Sequence, residues 1–433
     1  MANVVGTISY HDQFKIRYAN KIAKYLSSTS ILQELAPFTE KEATGEKYVM
    51  PIMTKRGQAF TYAAGGSGSV TFVDLDTSKV EKASLVGSQI FGGDGCDWEA
   101  ALSALGFTDE FDLVMEGLMD SHRFRIELDT FWGQNANGSI GIVTGTPATS
   151  ATSTVTILAA ERSAGILYNL EGATLEIFDS ALTTERAGTF IVLSVNPDAG
   201  TFTVDNSGGT IADTDRIFLN GQRTTSAWKQ AAGLNTWLQN TGSIAGLDAS
   251  TRIVWKPNVI ALGGAPLDFT TLLGAANRLQ SRGHVGKLIA LVTPTTWSQM
   301  MSDQSAVVRR VQEQRKYVLG ADALTFYTGV GEIEIIAHPY QKEGYAHVFP
   351  VTTANADGSM EKKDLESAPL RRIGVTDLVF IGPDGTSSKS KKASYFEKLQ
   401  RTNILFTETY SHQALFVASP SRCVVFTGVD PTA

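Results

Sequence analysis

The sequence has few cysteines and no long apolar segment. Its 433 residues include two cysteines, Cys96 and Cys423, which form neither a CxxC motif nor a disulfide framework. Such cysteine use is typical of a reducing compartment and excludes a small secreted domain held together by disulfides. No apolar run approaches the ~20 residues of a membrane-spanning helix. The first residues also lack the basic and apolar regions of a secretion signal, so we expect neither export nor a membrane segment.

An excess of positive charge is missing as well. The chain has 37 Lys and Arg against 44 Asp and Glu, which gives a formal net charge of −7 at pH 7. This balance excludes a protein that coats nucleic acid by bulk attraction, although it leaves room for a local basic patch. One short basic cluster, SSKSKK at 387–392, is interpreted as a solvated loop, with contact to nucleic acid or to an acidic partner as the alternative.

Motifs that carry chemistry are absent from the sequence. There is no HExxH, no GxSxG and no Walker loop; GHVGKL at 283–288 contains Gly-Lys, but leucine follows where Ser or Thr is required. His338 and His347 could face each other across a hairpin, but two histidines without further ligands make a poor metal site. Asp213 and Asp215 could bind calcium, yet their position favours a strand end. We therefore predict no catalytic residue, no metal and no cofactor.

The first 92 residues are predicted to extend from the body of the protein. Residues 1–44 are interpreted as an arm, in which Ser30 caps a short helix that stops before Pro37. Residues 45–92 alternate in polarity around a glycine-rich break at 65–68, which predicts a long β-hairpin. A long hairpin with few core-sized residues is marginal alone, so we expect it to lie against another molecule; a disordered loop is the alternative. The predicted contact residues are Arg56, Phe60, Tyr62, Phe72 and Val80.

One segment is a clear helix. Residues 108–132 begin with Thr108 as a cap and acidic residues in the first turn, where the helix dipole favours negative charge. At ~1.5 Å per residue this helix spans nearly 40 Å, a length suited to a spine. Its predicted core stripe is Phe111, Val114, Leu118, Leu128 and Trp132.

The composition then changes between residues 139 and 222. This segment is rich in Thr, Ser, Val, Ile and Gly, and its short apolar runs are separated by turn signals such as NPDAG at 196–200. Regular short strands of this kind predict a small β-barrel or sandwich, which we interpret as an inserted domain.

The remainder alternates helices and strands. Residues 267–283 form an amphipathic pattern that ends at Gly283, and KLIALVTP is a buried strand. In YTGVGEIEIIAHPY, at 327–340, Gly329 and Gly331 precede a strand. A dinucleotide loop requires strand, glycines and then helix, so we predict a tight turn that feeds a half-buried strand.

The predicted elements, in their order along the chain, resemble those of the major capsid proteins of tailed bacteriophages, which have the Hong Kong 97-like fold. They are an arm, a glycine-tipped hairpin, a spine helix and an α/β region. Local similarity is added by PTTWSQMMSDQ (294–304) and GADALTFYTGVGEIEIIAHPYQKEGYAHVF (320–349). The resemblance implies an α+β class and the following parts. They are an extended loop at 45–92, a peripheral domain at 93–138 containing the spine helix, an inserted all-β domain at 139–222, a mainly axial domain at 223–350, and a return to the peripheral domain with C-terminal strands at 351–433.

The same resemblance implies the function. The chain would assemble as hexamers and pentamers into the icosahedral head shell enclosing the double-stranded DNA of a phage, contacting DNA non-specifically on the inner face. It would be found in the virion after assembly in the host cytoplasm. A separate scaffolding protein and a portal are implied, with a cement protein as an optional partner. Gly329 and Gly331 would let the chain turn into the axial sheet, and no residue matches a cross-linking reaction. The alternatives are a β-rich binding or surface-array protein, and a hydrolase with an appended β domain.

Overall fold

The structure is a computed structural model of the chain. It describes residues 30–40, 47–65, 71, 73–74, 76–97, 110–147, 151–206, 208–284, 286–302, 324–329, 331–351, 369–382, 386–390, 395–398, 404–430 and 432. These residues belong to two compact units. The first combines Ile90–Arg123 with Leu378–Ser411, and the second combines Thr29–Gln89, Phe124–Asp377 and His412–Ala433.

Strands outnumber helices along the described chain. The helices are α1 Ile31–Leu35, α2 Glu110–Trp132, α3 Ala164–Tyr168, α4 Leu234–Trp237, α5 Phe269–Ser281 and α6 Pro294–Ser302. The strands are β1 Phe38–Glu40, β2 Tyr48–Lys55, β3 Lys79–Leu85, β4 Ser88–Asp97, β5 Gly141–Ile142, β6 Thr152–Thr156, β7 Thr174–Phe178, β8 Phe190–Asn196, β9 Thr201–Asn206, β10 Arg216–Leu219, β11 Ser243–Ile244, β12 Leu247–Asp248, β13 Asn258–Ala261, β14 Leu288–Val292, β15 Leu324–Tyr327, β16 Glu332–Ala337, β17 Tyr345–Pro350, β18 Leu370–Ile381, β19 Ser387–Ser388, β20 Glu397–Lys398, β21 Ile404–Val417 and β22 Val424–Thr427.

The first unit packs one stripe of helix α2 against strands. Met115, Leu118, Met119 and His122 are buried at i, i+3, i+4 and i+7, the spacing of a single helix face. His122 bonds Thr409 through Nδ1 at 2.8 Å and Ser411 through Nε2 at 2.9 Å, both on β21. In this unit β21 pairs antiparallel with β20, and the end of β18 pairs with β19. Thr108 and the side chain of Phe111 lie outside the described residues.

The second half of helix α2 does not show the single apolar stripe that the sequence predicts. In this part, which belongs to the second unit, almost every side chain is buried, so the residues form no single face. Val114, predicted in the stripe, is only half-buried in the first unit, whereas Leu128 and Trp132 are fully buried in the second. The buried side chains are Phe124, Ile126, Glu127, Leu128, Thr130, Phe131 and Trp132.

A buried carboxylate holds the short helix α1 in the second unit. The two Glu127 oxygens accept hydrogen bonds from the backbone N–H groups of Leu32 (2.6 Å) and Gln33 (3.1 Å). The predicted cap Ser30 makes no side-chain bond to the helix. The helix and its end before Pro37 are therefore present, but the capping carboxylate comes from helix α2. The amides of a helix start need an acceptor, and a fixed carboxylate is a strong one.

Residues 139–222 form a closed antiparallel β-barrel within the second unit. The strand order is β5-β10-β7-β8-β9-β6, and a bridge between Val143 and Ile157 joins β5 back to β6. Thr144 N donates to Thr156 O across that seam at 2.8 Å. The turn predicted at 196–200 connects β8 to β9, with Gly200 at φ +67°. The barrel interior shares one apolar cluster with Trp132 and the second half of α2, and its status as an inserted, independent domain stays a prediction.

A mixed six-stranded sheet forms the other large layer of the second unit. Its order is β13-β22-β17-β14-β16-β15, with β13/β22 and β14/β16 parallel and the other pairs antiparallel. Helices α5 and α6 pack on this sheet through a second apolar cluster. Asp268 caps α5 by accepting from Thr271 N at 2.7 Å, and Gly283 at φ +78° ends it, as the sequence predicts. All five residues of β14 are buried.

The glycine turn before β16 differs from the prediction in one respect. Thr328 and Gly331 exchange backbone hydrogen bonds, so the chain reverses tightly between β15 and β16. A Cβ at Gly331 would lie 2.5 Å from the Gly286 carbonyl oxygen, whereas Gly329 has open space around it. Strand β16 is buried from Ile333 to Ile336, not half-buried. It lies between β14 and β15, and Glu334 inside it pairs with Lys287.

Candidate functional site

The base of the β2–β3 hairpin is fixed to the rest of the second unit. Ala83 and Leu85 are buried there, and the alternate residues of β2 are half-buried against the apolar cluster. Ser84 N donates to Ala245 O at 2.8 Å, in the turn between β11 and β12. Arg252 pairs with Glu81 at 2.6 Å. The strands therefore leave the body of the unit in a defined direction.

The opposite face of the hairpin is apolar and exposed. Side chains alternate across a strand, so Val49 and Met53 point away from the half-buried face of β2. Val80 lies directly opposite Met53 on β3. Val49, Met53 and Val80 are 51%, 55% and 56% exposed. Val49 and Met53 were not among the predicted contact residues, although their alternation with Tyr48, Met50 and Ile52 in the sequence indicates an exposed face.

Hydrogen bonds keep the two arms together beyond the paired strands. Gly57 N donates to Ser78 Oγ at 3.2 Å, and Gln58 N donates to Asp76 Oδ2 at 3.1 Å. Further out, Val73 N donates to Thr61 Oγ1 at 2.9 Å. The contacts with Lys55 and Gln58 hold the pKa of Asp76 below its usual range despite some desolvation, with the Lys55 hydrogen bond as the largest cause.

This outer part carries large apolar side chains in water. Phe60 is 68% exposed, Tyr62 is 96% exposed and Val73 is 58% exposed. Full burial of such a side chain stabilises by ~1.5–3 kcal/mol, so covering the exposed face offers on the order of 5 kcal/mol or more. Several large apolar side chains exposed along one segment are typical of an interaction site. Of the predicted contact residues, Arg56, Phe60, Tyr62 and Val80 are exposed on the hairpin, and Phe72 lies outside the described residues.

The two histidines considered for a metal are instead buried in a polar network. His338 Nε2 bonds Glu127 Oε1 at 2.9 Å, while its Nδ1 accepts from Tyr340 N at 3.0 Å. His347 bonds the amide of Gln341, and both rings pack on Phe131. Among the residues that the structure describes, no cluster of three His, Cys, Asp or Glu side chains could hold a metal ion.

Acid is expected to destabilise the fold through His347. Burial lowers the pKa of His347 to about 3, whereas an unfolded histidine titrates near ~6.5. Between these values the unfolded chain binds more protons, so the free energy of unfolding falls as the pH drops, by up to ~1.4 kcal/mol per pH unit from this group. Denaturant unfolding at several pH values from 7.5 to 4.5 should show a shallower decline for His347→Gln than for the wild type. Parallel profiles would contradict this.

The remaining motif candidates have structural partners. Asp215 receives a bidentate hydrogen bond from Arg186, and Asp213 accepts from Gly145 N at 2.9 Å. GHVGKL lies between α5 and β14, in the order helix then strand, which is the reverse of a phosphate loop. Of the basic cluster at 387–392, only the first four residues are described, including the short strand β19. No helix in the described ranges has the length and apolar character to cross a membrane.

One cavity of about 240 Å³ lies in the second unit. Eight of its twelve lining residues carry an amide or a hydroxyl group, and Tyr345 contributes an aromatic ring. The Tyr345 hydroxyl donates to Glu161 Oε1 at 2.7 Å, and burial raises the pKa of this phenol. The lining residues are Asn135, Ala136, Asn137, Asn235, Leu238, Gln239, Asn240, Thr241, Val259, Tyr345, Val425 and Thr427. The wall thus offers hydrogen-bonding groups.

Comparison with known proteins identifies the fold. No protein-family model and no curated protein matches the sequence. The chain is similar to the capsid asymmetric unit of cyanophage A-1(L), with a TM-score of 0.53, 9% identity and coverage of 98% of this chain and 99% of that one. It is also similar to the capsid of a native GTA particle, with a TM-score of 0.50, 8% identity and coverage of 99% of both chains. The α+β class and the Hong Kong 97-like capsid fold predicted from the sequence are confirmed.

Proposed function

We propose that this protein is the major capsid protein of a tailed bacteriophage and that it assembles into the icosahedral shell around a double-stranded DNA genome. One observation carries the proposal. A capsid fold that extends over the whole chain presents a hairpin fixed at its base and apolar on its outer face. In a lone subunit that face is exposed to water, whereas a neighbouring subunit would cover it. The role is structural and uses no cofactor.

We also propose how the shell is organised and which partners the subunit has. Hexamers and pentamers would be the building blocks, and a scaffolding protein and a portal would guide shell closure, with a cement protein as an optional addition. Arg56, Phe60, Tyr62, Phe72 and Val80 would contact the neighbouring subunit. Residues 139–222 would be an inserted domain. Assembly would take place in the host cytoplasm, and the protein would end in the virion.

Electron microscopy of the purified full-length protein tests the proposal. Large closed particles or ring-like capsomers are expected. A small oligomer of fixed size, under all conditions and with the phage's own assembly partners present, would refute it and favour the binding-protein or hydrolase alternatives.

The exposed hairpin face is expected to control assembly without controlling folding. Met53→Ser with Val80→Ser removes apolar surface that water already covers, so the subunit should lose less than ~0.5 kcal/mol. Particle yield should nevertheless fall severalfold. Leu193→Ser, at a site on the barrel that is 49% exposed, is the control and should assemble at the wild-type yield.

Hydrogen exchange gives an independent readout of the same surface. The hairpin amides beyond the paired strands, at 56–65 and 76–78, should exchange fast in free subunits and slowly in particles. Equal exchange in both states, together with full particle yield from the double variant, would show that the hairpin is not the contact.

A further inference from the structure

The cavity of about 240 Å³ has its floor on one face of the six-stranded sheet. Val259 on β13 is directly opposite Val425 on β22. Tyr345 on β17 is directly opposite Thr427, two positions further along β22. Residues that are opposite each other, or two positions apart on one strand, point to the same face, so these four side chains form one surface. Phe426 points the other way, toward α5 and α6, and the floor extends to β13, the edge strand of the sheet.

Carboxamide side chains form the walls above this floor. One wall is the turn after α2, with Asn135 and Asn137, and the other consists of α4 and the residues after it, with Asn235, Gln239 and Asn240. None of the twelve lining residues carries a charge. A phosphate or a metal ion would therefore meet no opposite charge in the lining, and the cavity suits a neutral ligand.

Two of the wall amides are held in place with one polar atom left over. Asn137 Nδ2 donates to Glu161 Oε1 at 2.7 Å, and its Oδ1 has no partner among the described residues. Asn235 is 8% exposed, and its Oδ1 lies 3.4 Å from His347 Nε2. The Asn235 Nδ2 has no partner in the described part of the chain. One wall thus offers a fixed acceptor and the other a fixed donor.

The remaining polar side chains of the cavity add to this capacity. Gln239, Asn240 and Thr427 are half-buried, and their side chains make no hydrogen bond with any described residue. A carboxamide and a hydroxyl each donate and accept. The cavity therefore presents both kinds of hydrogen-bonding group above an apolar floor.

We infer that this cavity binds a single neutral pyranose ring. The ring hydroxyls each donate and accept, which matches carboxamide walls, and the C–H groups of the ring pack on the valines and the Tyr345 ring. At ~30 Å³ for each water molecule in the liquid, 240 Å³ corresponds to about eight waters, the space of one sugar ring and not of an oligosaccharide. Asn137, Asn235, Gln239 and Asn240 are the hydrogen-bonding partners. The inference goes beyond the proposed function and concerns the free subunit.

A titration of full-length subunits with glucose and N-acetylglucosamine tests the site. Saturation-transfer NMR should show saturable binding with a dissociation constant on the order of 1 mM, as expected for a ligand of this size. Methyl glucoside separates a free sugar from the end of a glycan: binding of either form supports the site, and loss with the methyl glucoside alone assigns it to the free sugar. No saturable binding of any of these sugars at about ten times the expected constant would overturn the inference.

The double variant Gln239→Ala with Asn240→Ala assigns the binding to this cavity. It removes hydrogen bonds to the ligand and none within the described protein, so binding should weaken about tenfold or more. The control, Asn277→Ala with Gln280→Ala, removes the same two side-chain types from the exposed face of α5 and should bind as the wild type does. Thr427→Val, which removes only a hydroxyl from the floor, should weaken binding severalfold. Unchanged affinity in both cavity variants would overturn the site.

Two further probes test the chemical class of the ligand. Glucuronate should bind at least about tenfold more weakly than glucose, because its carboxylate would lose water without gaining a cation. N-methylacetamide, which carries one peptide group, should compete poorly. Equal binding of glucuronate, or equal competition by N-methylacetamide, would overturn the assignment to a neutral sugar.

Discussion

Leu118→Pro is expected to yield insoluble protein or subunits that form no particles. Leu118 is 7% exposed in the middle of helix α2, and a Cβ added at Gly92 of β4 would lie 3.2 Å from its Cδ1, so the two are in close contact. Proline there removes a helix hydrogen bond and clashes with the preceding turn, at ~3 kcal/mol or more. That is a large part of the ~5–15 kcal/mol by which a typical domain is stable.

A milder change at the same position separates packing from helix breaking. Leu118→Ala keeps the helix and loses ~2–5 kcal/mol through the cavity it creates, so particles should be fewer or more fragile. Ser121→Ala, one turn later on the exposed side, should be nearly silent. Unfolding of the subunits and electron microscopy of the particles give the two readouts. Normal particles from both Leu118 variants would mean that α2 is not the spine of the assembly.

The elements that the sequence predicts well are those whose pattern is local. Strand β14 is an unbroken apolar run, and the structure buries it on both faces. Helix α5 carries its stop signal, Gly283, at the position where the left-handed backbone is needed. The hairpin alternates in polarity along both arms, which is a local pattern too. In each case the residues that decide the structure lie within a few positions of each other in the sequence.

The interior of the second unit could not be predicted in the same way. Glu127 looks like a solvent-facing charge on an amphipathic helix, but it is fully buried. Its partners Leu32 and His338 lie 95 and 211 residues away, so no window of sequence contains them together. The same holds for Arg282, which donates to the backbone carbonyls of Lys256 and Ser421, 26 and 139 residues away. Such sites depend on the tertiary fold, whereas the sequence reports only residue type and spacing.

Lys342 and Glu161 form another long-range pair of this kind. The Lys342 ammonium is fully buried and donates to Glu161 Oε2 and to Gly138 O, each at 2.8 Å. It also lies 4.6 Å from the centre of the Trp132 ring. Burial lowers the pKa of Lys342, although the carboxylate beside it acts in the opposite direction. The pair joins the barrel, through Glu161, to the loop between β16 and β17.

Lys342→Met is expected to lower the free energy of unfolding by ~3–5 kcal/mol, because it leaves the Glu161 carboxylate buried without its cation. Lys55→Met is the matched control. It breaks an exposed pair in which the Lys55 and Asp76 side chains are 53% and 32% exposed, and it should leave the free energy of unfolding nearly unchanged.

Adding Glu161→Gln to Lys342→Met should restore at least ~2 kcal/mol of the loss, because no uncompensated charge then remains inside the protein. The glutamine oxygen can still accept from Asn137 and Tyr345, which lie 2.7 Å from the same carboxylate oxygen. Denaturant unfolding of the wild type, the two single variants and the double variant completes the cycle. Losses that simply add would mean that the two charges do not depend on each other.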